Sequence, residues 1–165
     1  MKLHVVCGPP ACGKSIYGRE LAAREGAVLL DNDVATEPVV QAGMEAAGLS
    51  RDDRDSPTYK QIFREPVYEA LYRLAEENLP HLPVVLVGPF TSESQDAEWP
   101  VRLQQRFGVP VQVHFVYCAP EIRKERMVAR GETRDLAKLE RWEEYLRTTA
   151  EMRPPFPHMW VDTGI

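Results

Sequence analysis

The octapeptide Gly8-Pro9-Pro10-Ala11-Cys12-Gly13-Lys14-Ser15 constrains this chain more than any other stretch. It fits the pattern G-x-x-x-x-G-K-[S/T]. The apolar run at residues 3–7 predicts a buried strand before it, and the run at residues 16–23 predicts a helix after it. A glycine-rich turn between a strand and a helix is the context that this pattern requires, and it favours an α/β fold.

The residue types in this turn suit an anion. Gly8 and Gly13 allow backbone angles that other residues avoid, so the turn can wrap a ligand closely. Pro9 and Pro10 have no N–H, so the donors must be the amides of residues 11–15. Because those amides open a helix, its positive dipole end faces the ligand. We therefore predict that residues 8–15 form a phosphate-binding P-loop.

The last two residues of the motif carry charge and metal chemistry. Lys14 is expected to reach the β- and γ-phosphates of a nucleotide, and the Ser15 hydroxyl to ligate Mg²⁺. The motif thus predicts a nucleoside triphosphate together with Mg²⁺.

An acidic pair follows the second predicted strand, at residues 27–30. That strand delivers Asp31-Asn32-Asp33 to its carboxyl end, where open α/β sheets bind their ligands. One carboxylate is suited to deprotonating a substrate hydroxyl and the other to holding Mg²⁺ through water. We prefer Asp33 as the base and Asp31 for the metal. The alternative, that either residue merely caps the next helix, remains open.

Strands and helices alternate along the rest of the chain. Further strands are predicted at 83–87, 111–117 and 158–162, and helices at 37–47, 56–78, 96–107, 120–130 and 136–152. Pro38 is placed in the first turn of its helix, and Pro66 is expected to kink or divide the long one. This alternation predicts a single three-layer domain over residues 1–165, with a five-stranded parallel sheet and helices on both faces.

Two regions of that domain are expected to surround the substrates. Residues 35–80 form a helical insertion that would cover the acceptor, and the candidate contacts there are Arg51, Arg54, Tyr59, Lys60 and Arg64. For each of them a solvated charged surface is the alternative. Residues 120–150 are predicted to form a short helical lid with its flanking helices, and residues 131–135 form its turn.

Two arginines of the lid share one helix face, because Arg126 and Arg130 are four residues apart. Their guanidinium groups are suited to stacking on a base or neutralising a transferred phosphate. A salt-bridged surface helix is the alternative. This alternative is open because the positive charge of the region is nearly balanced by four acidic residues, Glu121, Glu125, Glu132 and Asp135.

Composition limits the class of protein. The chain has 165 residues, of which 44% are hydrophobic, and a net charge of −5, which argues against a long polyanionic nucleic acid as the main partner. Its apolar runs are too short to span a membrane. The three cysteines have no zinc-ligand spacing, so reduced thiols in the cytoplasm are expected.

In their order, these features resemble the small P-loop kinases. This superfamily includes nucleoside monophosphate kinases, gluconate kinase, chloramphenicol phosphotransferase, the kinase domain of phage polynucleotide kinase and zeta toxins. The resemblance spans nearly the whole chain. It rests on the P-loop, on Cys118-Ala119-Pro120-Glu121 with Arg126-Met127-Val128-Ala129-Arg130, and on Val161-Asp162-Thr163-Gly164.

The resemblance implies an enzyme that uses ATP and Mg²⁺. It implies that Asp33 binds the acceptor hydroxyl and acts as base, and that Arg126 and Arg130 are the lid arginines. It also implies that the backbone around Asp162 and Thr163 lies near the adenine. The chain departs from the family pattern at Thr36, where members often have arginine, and at Val87-Gly88, where many have aspartate.

Together these points predict transfer of the γ-phosphoryl group of ATP to a hydroxyl of a small molecule. One alternative is a 5′-hydroxyl polynucleotide or RNA-end kinase, which needs a basic groove lined by residues such as Arg51, Arg54, Lys60 and Arg64. A second alternative is a non-catalytic switch that binds a nucleotide and regulates a partner.

Overall fold

The computed structural model describes residues 1–54, 56–149 and 153–164. Five strands form one sheet: β1 (Leu3–Cys7), β2 (Val28–Asp31), β3 (Val84–Val87), β4 (Val111–Tyr117) and β5 (Met159–Asp162). Their order across the sheet is β2-β3-β1-β4-β5, and every pairing is parallel. The predicted five-stranded parallel sheet is confirmed.

Eight helices connect the described strands. They are α1 (Lys14–Glu25), α2 (Asn32–Ala46), α3 (Pro57–Ile62), α4 (Arg64–Asn78), α5 (Trp99–Phe107), α6 (Pro120–Arg130), α7 (Thr133–Glu140) and α8 (Trp142–Thr149), with a short 3₁₀ turn at Glu93–Gln95. None of these helices is long and apolar enough to cross a bilayer.

The sheet separates two apolar cores. Side chains of successive strand residues point to opposite faces, so Leu3, Val5 and Cys7 of β1 pack in one core while Val6 packs in the other. The larger core includes side chains from α2, α4 and α5, and the smaller one contains Leu21 and Ala22 of α1. Helices therefore cover both faces, as predicted for a three-layer α/β fold.

Helix α2 begins five residues earlier than predicted, at Asn32 instead of residue 37. The cause is Asp31, whose Oδ1 accepts a hydrogen bond from the Asp33 amide at 3.0 Å and so satisfies a free donor of the first turn. Asp33 consequently lies in the first turn of α2. Pro38 lies inside the helix instead of in its first turn, which corrects the prediction.

The predicted long helix at 56–78 is divided, but not at Pro66. The break falls at Phe63, between α3 and α4. Pro66 occupies the first turn of α4, where its missing N–H costs no helical hydrogen bond. The Phe63 ring packs on α2, because a Cβ added to Gly43 would lie 2.7 Å from Phe63 Cζ.

Two other helices also differ from prediction. Helix α5 begins at Trp99 instead of residue 96, after the 3₁₀ turn. The helix expected at 136–152 is two helices separated at Arg141, whose φ of −115° and ψ of 45° are not helical. The first of them begins at Thr133, so residues 133–135 are helical and do not belong to the turn predicted at 131–135. The expected end of that helix, at residues 150–152, lies outside the described residues.

The carboxyl ends of the strands assemble the site. The P-loop follows β1, Asp31 is the last residue of β2, and Val87-Gly88 end β3. Because the strands are parallel, these ends meet at one edge of the sheet, where such folds bind their ligands.

Candidate active site

The P-loop conformation depends on its two glycines. Gly8 has φ 140°, and a Cβ placed there would lie 2.2 Å from the carbonyl oxygen of Val116 on β4. Gly13 has φ 86° and precedes α1. Ala11 also has a positive φ, 59°, which is uncommon for a residue with a side chain. The loop therefore adopts the tight turn that the motif predicts.

Two side chains brace this loop from within. The buried Cys12 thiol donates to the carbonyl oxygen of Pro9 at 2.8 Å, and Lys14 Nζ donates to the same oxygen at 2.7 Å. Burial raises the pKa of the neighbouring Cys7 thiol to about 12, despite Lys14 nearby. Lys14 and Ser15 line one cleft of about 1400 Å³ together with the other predicted site residues described below.

Asp31 is a buried carboxylate that lines the cleft. Only 6% of the residue is exposed. Its Oδ1 caps α2, whereas its Oδ2 is buried without a hydrogen-bond partner. A buried carboxylate oxygen with no donor is costly unless a ligand or water satisfies it. Asp31 therefore caps the helix with one oxygen, as the alternative predicted, and keeps a second oxygen without a hydrogen-bond partner.

The residues present fit Mg²⁺. No group of three or more His, Cys, Asp and Glu within the described ranges could hold a metal alone. Mg²⁺ does not need such a cage, because it keeps several waters and takes further ligands from substrate phosphates. Ser15 supplies a hydroxyl and Asp31 an unpartnered oxygen in the same cleft.

Asp33 faces the lid. Its carboxyl group is half exposed, and Oδ2 accepts a hydrogen bond from Arg134 Nη1 of α7 at 3.2 Å. Burial alone would lower the pKa of Arg134, but the carboxylates of Asp33 and Glu132 outweigh it and raise that pKa. The predicted base is thus paired with an arginine that the sequence analysis did not select.

Arg126 connects the lid to the P-loop and the chain's last strand. Its Nη2 donates to the Thr163 carbonyl oxygen at 2.7 Å, and its Nη1 donates to Thr163 Oγ1 at 3.1 Å. Thr163 Oγ1 in turn donates to the Cys12 carbonyl oxygen at 2.8 Å. The guanidinium group lies beside Gly13, in the cleft that Asp162 also lines. Arg126 and residues 162–163 therefore share one end of the cleft.

Arg130 is held within the lid. Its Nε and Nη2 donate to the two oxygens of Asp135 at 2.5 and 2.8 Å, and only 1% of Asp135 is exposed. Such a two-point pair fixes the guanidinium plane. Both residues line the cleft, so the ion pair that the alternative predicted lies at the cleft and not on an outer surface.

The insertion supplies four of its five candidate contacts to the cleft, namely Arg54, Tyr59, Lys60 and Arg64. Arg54 donates to Glu37 at 2.7 Å and lies over the Tyr59 ring, and Arg64 donates to Glu93 at 2.7 Å. Burial raises the pKa of Tyr59, although Arg54 opposes this. Arg51 does not line the cleft and instead bonds Gln41 on the surface of α2.

Two residues of the lid were missed by the sequence analysis. Arg134 was included only in the predicted lid turn at residues 131–135, and Asp135 only as a balancing charge. A signal was available, because Arg134 continues the four-residue spacing of Arg126 and Arg130. That spacing carried no weight because Gly131 ends α6, so the direction of Arg134 depends on how α7 packs.

Comparison with known proteins agrees with this geometry. A family profile described as AAA domain matches residues 3–152. No curated protein sequence matches the chain.

Three solved structures share the fold over nearly the whole chain. The first is a protein from Chloroflexus aurantiacus whose assignment as a kinase is provisional, at TM-score 0.70 and 21% identity, covering 99% of this chain and 89% of the other. The second is a sugar kinase from Janibacter sp. HTCC2649, at TM-score 0.62 and 17% identity, covering 98% of this chain and 85% of the other. The third is a gluconokinase from Sinorhizobium meliloti, at TM-score 0.61 and 18% identity, covering 98% of this chain and 82% of the other. The predicted resemblance to small P-loop kinases is confirmed at the level of the fold.

Proposed function

The chain belongs to the AAA domain family, and on that premise we propose that it is an ATP- and Mg²⁺-dependent phosphotransferase whose acceptor is a hydroxyl of a small molecule. One observation carries the proposal. A single cleft joins the P-loop after β1 to a half-exposed aspartate, Asp33, in the first turn of α2, and to a lid rich in arginine. A nucleotide-binding site with no transfer chemistry has no need of that aspartate.

The proposed roles follow from position. The amides of the P-loop and Lys14 bind the phosphates, and Arg126 with residues 162–163 receives the nucleoside end. Ser15 would ligate Mg²⁺ and Asp31 would hold it through water. When bound, the metal neutralises charge on the triphosphate. Asp33 accepts the proton of the acceptor hydroxyl, which makes its oxygen the better nucleophile.

Arginine in the lid supplies the remaining charge. Arg130 lies in the cleft with its orientation fixed by Asp135, so it is proposed to meet the transferring phosphoryl group without reorganising. Nine lysine and arginine side chains line the cleft against six aspartate and glutamate side chains, although the whole chain carries −5. This local excess of positive charge suits a triphosphate.

The chamber beside Asp33 favours a small acceptor over a polynucleotide. Arg54 and Arg64 are each paired with a glutamate, and Arg51 lies on the surface of α2 away from the cleft. A polynucleotide groove needs cations that are available to successive phosphates. Paired donors and acceptors instead offer hydrogen bonds in both directions, which suits a compact polar molecule with several hydroxyls.

Transfer of labelled phosphate from ATP tests the proposal. The acceptors are a pooled library of small hydroxyl compounds and a set of 5′-hydroxyl oligonucleotides. We expect label in a small compound. The rate of phosphate transfer should fall about 10²-fold or more in Asp33→Asn and by a comparable or larger factor in Lys14→Ala. Glu77→Gln is the matched control, because it removes an exposed acid of α4 that does not line the cleft.

Three outcomes would contradict parts of this proposal. Label in oligonucleotides alone would favour the polynucleotide kinase. Tight binding of ATP without transfer to any acceptor would favour the switch. Normal transfer by Asp33→Asn would remove that residue from the role of base.

A further inference from the structure

The lid and α2 are joined across the cleft by one ion pair. Arg134 Nη1 donates to Asp33 Oδ2 at 3.2 Å, between residues that are 101 positions apart in the chain. Arg134 is 24% exposed, and its Nε lies 2.8 Å from Glu132 Oε2. The pair thus links the first turn of α7 to the first turn of α2, directly at the proposed base.

The position of Arg134 is set by its neighbours. Asp135, the next residue, is buried and binds Arg130 through both carboxylate oxygens. The Asp135 amide also donates to the Glu132 carbonyl oxygen at 2.9 Å. These contacts fix the beginning of α7, so the Arg134 side chain leaves the helix toward Asp33.

This contact conflicts with the work proposed for Asp33. A base must accept a proton from the acceptor hydroxyl, so its oxygens must face that hydroxyl. Arg134 instead occupies Oδ2, and Asn32 Nδ2 lies 3.4 Å from Oδ1. A triphosphate brings a stronger competitor, because its terminal phosphate carries more charge than a carboxylate and offers three oxygens to a guanidinium fork.

We propose that Arg134 is a phosphate-responsive latch on Asp33. Without a triphosphate it binds Asp33 and blocks the acceptor hydroxyl; the γ-phosphate draws it away and frees the carboxylate. Arg130 cannot serve in this way, because both oxygens of the buried Asp135 already hold it. The inference rests on the proposed function and adds to it a reason for nucleotide to precede acceptor.

Nucleotide binding alone tests the latch, with no need to know the acceptor. Isothermal titration calorimetry in the presence of Mg²⁺ measures the affinity for the non-hydrolysable triphosphate analogue AMP-PNP and for ADP. The proteins are the wild type, Asp33→Asn, Arg134→Gln and the double variant. In the wild type, AMP-PNP must break the ion pair between Arg134 and Asp33 in order to bind. We therefore expect Asp33→Asn to bind AMP-PNP about 3- to 10-fold more tightly than the wild type does. ADP has no γ-phosphate, so its affinity should not change.

The Arg134→Gln background separates the latch from simple charge removal. If loss of the Asp33 charge were by itself the cause of the tighter binding, ADP would also bind more tightly and the effect would persist without Arg134. The latch predicts that Asp33→Asn no longer changes AMP-PNP affinity once Arg134 is glutamine. Glu37→Gln is the matched control, because it removes a carboxylate from the same cleft that pairs with Arg54 instead. It should not distinguish AMP-PNP from ADP.

Each failure has its own meaning. Equal tightening for ADP and AMP-PNP, tightening that persists in Arg134→Gln, or unchanged AMP-PNP affinity in Asp33→Asn would each overturn the latch. A wild type that binds neither nucleotide would overturn the proposed function itself. Thermal unfolding of every variant shows that an altered affinity belongs to a folded protein.

Discussion

Asp31 caps a helix and is also the residue that we propose to help hold Mg²⁺, two roles that the sequence presents as alternatives. Its Oδ1 caps α2 and its Oδ2 is buried and unpartnered at the cleft. An N-cap needs only a side-chain oxygen, which asparagine also supplies. A water-mediated contact with Mg²⁺ instead depends on the negative charge. The two roles are therefore separable by substitution.

Asp31→Asn should keep the helix cap and weaken the metal contact. We expect a free energy of unfolding close to that of the wild type. The Mg²⁺ concentration needed for half-maximal AMP-PNP binding should rise about 10-fold, which is typical for the loss of an outer-sphere group. Mg²⁺ titrations and urea unfolding measure the two effects. Asp31→Ala, which loses both roles, should also lose about 1 kcal/mol of stability. An unchanged Mg²⁺ requirement in Asp31→Asn would leave the residue as a cap alone.

At the scale of elements, the approach of α1 to the sheet determines where the P-loop residues lie. Gly18 is buried on α1, and a Cβ placed there would lie 2.4 Å from Val87 Cγ2 on β3. The absence of a side chain at this position lets the helix pack closely on the strand. Lys14 and Ser15 begin the same helix, so any displacement of α1 also moves them.

Gly18→Ala should therefore destabilise the protein, although alanine is favoured over glycine in a helix interior by about 1 kcal/mol. Forcing an extra carbon into a packed contact costs about 1–3 kcal/mol. We expect a lower urea midpoint and weaker AMP-PNP binding. Val87→Ala in the same chain should restore part of the stability, because it removes the clashing methyl groups. A Gly18→Ala variant more stable than the wild type would contradict this account of the contact.

The elements that sequence alone could predict are those whose signals are local. β1 and β4 follow from apolar runs, and both are confirmed. The start of α2 was wrong because capping by Asp31 competes with the helix-breaking signal of Pro38. The division at Phe63 was wrong in position because it depends on packing against Gly43 of α2.

The candidate site follows the same rule. The P-loop is contiguous in sequence, so its conformation was predictable from Gly8 and Gly13. The pairing of Asp33 with Arg134 was not, because an ion pair across a cleft depends on tertiary packing. Arg134 reaches Asp33 only because α7 begins where Asp135 is buried.

For the whole molecule, the smaller core contains an unexpected polar network. His4 of β1 and His114 of β4 are buried, with His4 Nδ1 and His114 Nε2 3.0 Å apart, and the Tyr17 hydroxyl lies 2.8 Å from His114 Nδ1. One arrangement of the protons satisfies both of these contacts, although it leaves His4 Nε2 buried without a hydrogen-bond partner. Tyr17 donates to His114, and His114 donates to His4, provided that both rings are neutral. This network joins α1 to two central strands of the sheet.

Acid should therefore destabilise the whole fold through these rings. Burial, reinforced by the neighbouring His4 and Lys2, lowers the pKa of His114 to about 4, and burial also lowers the pKa of His4. In the unfolded chain both pKa values return to about 6.5. Below that pH the unfolded state binds more protons than the folded state, so the free energy of unfolding falls as the pH falls. The neutral rings contribute fully to the free energy of unfolding above pH 6.5. By pH 4, protonation of His114 in the unfolded chain lowers the free energy of unfolding by roughly 3 kcal/mol.

Urea unfolding between pH 7 and pH 4 measures this loss, with His114→Gln as the comparison. Glutamine keeps hydrogen-bonding atoms but cannot titrate, so the variant is expected to be less stable at pH 7 and to lose less stability on acidification. Carboxylates titrate alike in both proteins, so the difference in slope isolates His114. If the free energy of unfolding has the same pH dependence in both proteins, His114 takes up its proton in the folded protein as readily as in the unfolded chain. Protonation of His114 would then not destabilise the network.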